Sequence, residues 1–387
     1  MLIPRHITAH LRELSLYFPI LSLTGPRQAG KTTLLKELYP DYRYVSLEDP
    51  DQQLRVTEDP RSFLKHYDYN VIFDEAQRVP ALFSYLQTVV DEDRQPGRYI
   101  LSGSQNFLLR QSITQSLAGR VGIARLFPLD LREIAAANVR PKDYETAIYR
   151  GFYPAQFDTG VPPRLFYPSY VSSYIERDVS GLISAANLNT FRRFLQLCAA
   201  YAGQLLNYSA IARAVGVSVP TIQSWFSVLE QSYLVFRLPP YYKNFGKRIT
   251  KSPKLYFYDT GLLCYLLSMQ SEKDVINYYQ LGALFENLII AERMKRAQHD
   301  GKEARLYFYR DSNQLETDLL EETASGLILT EIKANRTYRD NLLANLHKVG
   351  KIAGQPIYKQ LVFGGDEGFT VRNVQVFPWH TPVERQV

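Results

Sequence analysis

Two glycines frame a short loop that ends in a lysine and a hydroxyl, Gly25-Pro26-Arg27-Gln28-Ala29-Gly30-Lys31-Thr32, the spacing that wraps backbone around phosphate groups. Gly25 and Gly30 free the chain to turn with its N–H groups inward. A helix starting there aims the positive end of its dipole at the same point. Lys31 would reach the β and γ phosphates of a nucleoside triphosphate, Thr32 would offer its hydroxyl to magnesium, and Thr33 would extend the cradle. A second feature is Asn70-Val-Ile-Phe-Asp74-Glu75, an apolar run that ends in two carboxylates. Asp74 would hold the magnesium shell, and Glu75 would polarise the attacking water by accepting its proton. The alternative, an exposed acidic pair, conflicts with the apolar residues before it.

Two further residues join this set with open alternatives. In Arg98-Tyr-Ile-Leu-Ser102-Gly-Ser104-Gln105 a buried-strand pattern ends in polar groups, and Ser104 reads as a sensor of the γ phosphate or as an ordinary strand-to-loop cap. In Ser116-Leu-Ala-Gly119-Arg120 the arginine reads as a finger reaching a neighbouring subunit or as a structural salt bridge.

The elements that must position these groups are visible in the periodicity. Ile20-Leu-Ser-Leu-Thr24 has strand character and Thr32-Thr-Leu-Leu-Lys-Glu-Leu38 has helical spacing, so the glycine loop lies between strand and helix. At 387 residues the chain implies roughly two to four domains. Hydrophobic residues at 45% and charged residues at 22% fit a globular chain, and no apolar run is long enough for a bilayer. The start, Met1-Leu-Ile-Pro-Arg-His-Ile, does not read as a secretory signal, so a cytoplasmic location is expected. Cys198 and Cys264 lie in apolar helical surroundings without metal-ligand spacing and are expected in the core. The net charge of +6 leans toward an anionic partner, and the 28 tyrosines could stack bases or simply pack.

Leu188 to Leu238 reads helix, helix, turn, helix and strand, the order of a winged helix. Tyr208 to Ala214 would be the first helix of the pair, Val215-Gly216-Val217 the turn, and Ser218 the cap of a helix running to Glu230. Its exposed face would carry Thr221, Gln223, Ser224 and Ser227, with no cation for phosphate, which weakens a DNA-reading role. Tyr241 to Tyr258 could compensate. It carries Lys243, Lys247, Arg248, Lys251 and Lys254 with aromatics and no acid, a candidate nucleic-acid stripe or a solvated loop.

Leu315 to Lys333 reads as two strands around a turn. With the turn centred between Ala324 and Ser325, Asp318 falls opposite Glu331, and the period of two puts Glu331 and Lys333 on one face. Two carboxylates there could bind magnesium, Lys333 could stabilise charge at a phosphodiester, and Glu286 on the preceding helix could complete the cluster.

Loop, carboxylate strand, polar-ended strand and Gly-Arg in this order make residues 1–135 resemble the AAA-type P-loop ATPases of bacteria and archaea. Tyr174-Ile-Glu-Arg177-Asp178, Lys254-Leu-Tyr-Phe-Tyr-Asp259-Thr-Gly261 and Gly282-Ala-Leu-Phe-Glu286-Asn287 resemble landmarks of a family joining that ATPase to a C-terminal domain of unknown function. The resemblance implies an α/β fold with a parallel sheet in order 5-1-4-3-2 and a C-terminal domain similar to restriction endonucleases, whose Asp…Glu-x-Lys pattern matches Asp318, Glu331 and Lys333. The expected organisation is an ATPase core at 1–135, a helical lid at 136–187, a winged helix at 188–245 and an endonuclease-like domain at 246–387. The expected activity is magnesium-dependent ATP hydrolysis. The expected output is action on DNA or a DNA-bound complex as a ring-forming homo-oligomer; the alternatives are an ATP-gated switch that regulates a protein partner and an ATPase-coupled magnesium-dependent nuclease.

Overall fold

The computed structural model describes residues 3–104, 116–175, 179–180, 183–184, 187–242, 251–352 and 356–381. Its first sheet is parallel throughout and runs β2 (Arg43–Ser46), β3 (Val71–Asp74), β4 (Tyr99–Gly103), β1 (Ile20–Thr24), β5 (Val121–Arg125). That is the order 5-1-4-3-2 read from the other edge. β1, β3 and β4 are buried along their whole length, as near-continuous apolar strands covered on both faces must be. Successive residues serve opposite faces: Val71 and Phe73 join Phe63, Phe83 and Tyr99 on one side, while Ile72 joins Ile7, Leu23 and Leu35 on the other. In such a sheet the loops at the carboxyl ends of β1, β3 and β4 meet at one edge.

Three helices follow in the middle of the chain, Leu188–Ala200, Tyr208–Val215 and Val219–Gln231. Asn207 and Ser218 cap the last two through their side chains, and Gly216 ends the middle one at φ +83°. The antiparallel pair β6 (Val235–Leu238) and β7 (Lys254–Phe257) closes this part, with Val235 opposite Phe257 and Leu238 opposite Lys254. The small sheet therefore straddles residue 246.

The C-terminal part is a mixed sheet in the order β12-β13-β11-β10-β9-β8, with β8 at Leu306–Arg310, β9 at Glu316–Thr323, β10 at Gly326–Lys333, β11 at Ile357–Phe363, β12 at Phe369–Val371 and β13 at Val374–Pro378. The β9–β10 register pairs Thr323 with Gly326 and Leu319 with Thr330, which brings Asp318 level with Glu331 at the open end. Against this sheet lies the helix Leu281–His299, about 28 Å long at 1.5 Å per residue. It is buried on nearly every side, including the polar Asn287, Glu292, Arg293, Lys295 and His299. A helix with no solvent stripe needs polar partners in its neighbours. Asn287, Glu292, Arg293, Lys295 and His299 each find one, and one apolar cluster runs from Leu131 through the middle helices to Trp379. Among the described residues no helix is long and apolar enough to cross a membrane. Cys198 and Cys264 are buried thiols, both pushed up by burial.

The Asp-Thr-Gly landmark proves to be a structural knot. Buried Asp259 accepts from the Leu262 amide at 2.8 Å, the Phe152 amide at 2.7 Å and the Tyr167 hydroxyl at 2.8 Å. Gly151, at φ +72°, passes so close that a Cβ would sit 2.0 Å from the Tyr167 oxygen, whereas a Cβ on Gly216 would meet open space. Gly216→Ala should therefore cost about 1 kcal/mol for left-handed backbone alone. Gly151→Ala should cost at least about 3 kcal/mol, because the knot must also open. Urea unfolding of both variants checks this, and equal losses would refute the tight knot.

Candidate nucleotide site

The phosphate loop is shaped from both sides. Gly25 sits at φ +154° with the Leu126 carbonyl where its side chain would be, 2.0 Å from an ideal Cβ, so no other residue fits. Gln28 and Gly30 also take positive φ, at 58° and 93°. Lys31, at the start of the helix Lys31–Leu38, donates to the carbonyls of Gly25 and Pro26, both at 2.9 Å, holding the loop closed from inside.

Asp74 at the end of β3 faces Thr32, whose hydroxyl donates to Oδ2 at 2.7 Å. Tyr44 of β2 donates to the same oxygen at 2.7 Å, Ser102 of β4 donates to Oδ1, and the Glu75 amide reaches Oδ1 at 3.1 Å. Burial pushes this carboxyl up, but the bonds from Ser102, Tyr44 and Thr32 and the charge of Lys31 outweigh it and hold it below the usual carboxylate range. Burial and the bond to Asp74 raise Tyr44, which stays a donor. Glu75 takes left-handed backbone, φ 54° and ψ 42°. One of its oxygens accepts from the Ser104 amide at 3.4 Å, the Ser104 hydroxyl at 3.2 Å and the Gln77 amide. The register puts Ser102 beside Asp74 and leaves Ser104 beyond the strand, against Glu75.

Arg120 sits away from this cluster. It grips Asp91 with two bonds of 2.7 Å and the Ala118 carbonyl with a third at 2.9 Å. That is the geometry of a structural fork.

Arg5, which sequence reasoning passed over, anchors the loop. It donates to the Ala29 carbonyl at 2.8 Å, the Phe127 carbonyl at 2.6 Å and Glu133 at 3.1 Å. Glu133 and Asp130 form the capping box of the helix Leu131–Ala136. His299, at the end of the long helix, joins them: Asp130 lies 3.0 Å from its Nδ1, and its Nε2 accepts from the Phe127 amide at 3.3 Å. His6, Asp130 and Glu133 lie within 4.8 Å of one another in a metal-like cluster. Their oxygens are already taken by Arg5, Arg132, His299 and backbone amides, so the cluster is an ion-pair hub. Tyr233, at the end of the helical segment, bonds Thr24 at 2.7 Å, and Tyr258 stacks on Phe127 at 4.3 Å. The bonds from Arg5 to Glu133 and between Thr24 and Tyr233 join residues over 100 positions apart, and no local spacing signals them.

The second cluster lies at the other end of the long helix. Lys333 bridges Asp318 at 2.9 Å and Glu331 at 2.8 Å, and the Ile332 amide donates to Asp318 at 2.7 Å. Glu286 accepts from Lys254 at 3.0 Å and from the Tyr256 hydroxyl. Lys254 must therefore be removed from the basic stripe: it is 3% exposed and bridges Glu286 and Glu316. Its position on β7, opposite Leu238, turns it inward, and three carboxylates, Glu286, Glu316 and Asp318, repay its desolvation. Lys251 is exposed, while Lys243, Lys247 and Arg248 lie outside the described residues.

With this geometry in view, residues 17–135 match the AAA domain family, residues 141–273 a Domain of unknown function (DUF8612), and residues 281–381 a Domain of unknown function (DUF4143). Uncharacterized proteins of Mycobacterium tuberculosis and Mycobacterium bovis are each 31% identical over 338 residues, covering 86% of this chain and 74% of theirs. The chain belongs to their family. It is an AAA-type P-loop ATPase with a C-terminal domain of unknown function. Among solved structures, the Walker-type ATPase of Pyrococcus abyssi is similar at 16% identity and a TM-score of 0.41, over 67% of this chain and 94% of its own. AMPPCP-bound DnaA from Aquifex aeolicus is similar at 14% identity and a TM-score of 0.29, over 58% and 86%.

In this AAA family member the carboxylate cluster of the C-terminal sheet sets a pH response. Burial, then the Asp318 charge, pushes Glu331 up to about 8, against the opposing pull of Lys333. The folded state thus holds a proton that the unfolded chain releases near the ordinary glutamate value. This group's contribution is fully present below that value and is lost as pH rises through about 8. Glu331→Gln should flatten the fall in stability between pH 5 and 8 followed by denaturant unfolding, and an unchanged slope would refute the assignment.

Proposed function

We propose that the chain binds ATP at Gly25 to Thr33 and hydrolyses it with magnesium. The observation that carries this is the Asp74 carboxylate facing the Thr32 hydroxyl at 2.7 Å, with Glu75 held beside it by Ser104. A hydroxyl and a depressed carboxylate are the hard oxygen donors that suit magnesium. Thr32 and Asp74 would hold the ion, which supplies charge neutralisation at the phosphates. Lys31 exchanges its two loop carbonyls for phosphate oxygens, and Glu75 accepts the proton of the attacking water. A cavity walled by Ile3, Leu34, Leu129 and Pro154 opens beside Gly30 and Thr33 and offers an apolar slot for the base. Lys31→Ala should abolish ATP binding by calorimetry. Glu75→Gln should keep binding and lower turnover at least about 100-fold. Micromolar affinity in the first, or normal turnover in the second, contradicts the reading.

The output we infer is an ATP-gated switch serving a protein partner. Three observations support it over a DNA motor or a nuclease. Arg120 is engaged by Asp91 within its own chain. The face of Val219–Gln231 that carries Gln223, Ser224 and Ser227 is exposed and has no cation, and Lys254 is spent internally. Lys254 and Lys333 place positive charge among Glu286, Asp318 and Glu331, where a nuclease would bring a metal. Turnover should stay flat when single-stranded, duplex or branched DNA is added, and should not depend on protein concentration. DNA stimulation, or magnesium-dependent DNA cleavage lost in Asp318→Ala, overturns the switch.

A further inference from the structure

Where the ATPase part meets the long helix, a shallow cleft is lined by Arg132 from the helix Leu131–Ala136, by Arg293 and Arg296 from Leu281–His299, and by Trp379 and Thr381 after β13. Glu292 is the acidic residue facing it. The nearby counter-charges are already committed. Arg132 binds Asp300 at 2.9 Å and Asp130 at 3.2 Å. Arg293 lies 3.6 Å from Glu321 and 3.4 Å from the Gln360 side chain. Glu292 pairs with Lys295 and accepts from the Leu131 amide at 2.6 Å.

What remains is guanidinium donor capacity without an acceptor. The Nε of Arg132 is buried without a hydrogen-bond partner. Burial first, then the charges of Arg293 and Arg132, push Arg296 down, against the weaker opposing pull of Asp130 and Glu292. A half-desolvated guanidinium beside two others is costly unless an anion meets it. Guanidinium forks present parallel donors at the spacing of phosphate oxygens.

We propose that the Arg132–Arg293–Arg296 cleft is a binding site for a phosphate-bearing anion, separate from the phosphate loop. The anion supplies the acceptors that Arg296 and the Arg132 Nε lack. Its source is either a small phosphorylated molecule or a phosphodiester backbone, since both present the same oxygens. The site stands next to the loop's anchorage. Arg132 shares Asp130 with His299, Asp130 is boxed with Glu133, and Glu133 holds Arg5 against Ala29.

The test is calorimetric titration of pyrophosphate into the full-length Lys31→Ala protein, in which the phosphate loop no longer competes. Saturable binding is expected, weakened at least about tenfold by Arg296→Gln and less by Arg296→Lys, which keeps the charge without the fork. Arg305→Gln, on the exposed surface, should change nothing. Unfolding midpoints of the variants verify that each is folded. Competition by a short duplex DNA identifies the phosphodiester source, and its failure identifies the small molecule. Absence of saturable binding, or equal affinity in Arg296→Gln and its parent, overturns the site. ATP binding by the Lys31 variant would instead count against the nucleotide reading, so the two proposals fail separately.

Discussion

Buried charge at the end of β5 holds this molecule together. Arg5, Asp130, Glu133 and His299 come from the N-terminus, the segment after the parallel sheet and the far end of the long helix, and they pair with one another in a buried place. Removing one would strand its partners, at a cost of about 3–5 kcal/mol for a broken buried pair. The phosphate loop is held shut by the same hub through Ala29, so the loop's shape depends on residues that never approach the phosphates.

The Asp74 site works by a similar economy of donors. Four groups, from β2, β4, the loop helix and the residue after β3, converge on one carboxylate and keep it ionised despite its burial. Parallel register is what aligns them: Ser46 sits opposite Asp74, and the β3–β4 pairing carries Ser102 alongside. A carboxylate prepared in this way needs little rearrangement to act as a ligand.

The sequence made some of this readable and concealed the rest, and the dividing line is distance along the chain. The glycine loop, the strand ending in Asp74 and Glu75, and the Asp318–Glu331 register are local patterns set by turns and periods of two. Ser102 was hidden because strand register, rather than residue type, decides which serine meets Asp74. Lys254 looked like part of a basic surface because its acidic partners lie 32 and 62 residues later. Arg5 and His299 carry no motif at all. Their role arises only when the chain folds back across more than 120 residues.

The burial of the Leu281–His299 helix on nearly all sides bears on how the chain assembles. The parallel sheet can close as soon as its own strands have left the ribosome. The middle helices share their apolar cluster with residues as late as Trp379, so they must wait, greasy and incomplete, for a helix not yet synthesised. That interval is when the chain is most exposed to wrong partners.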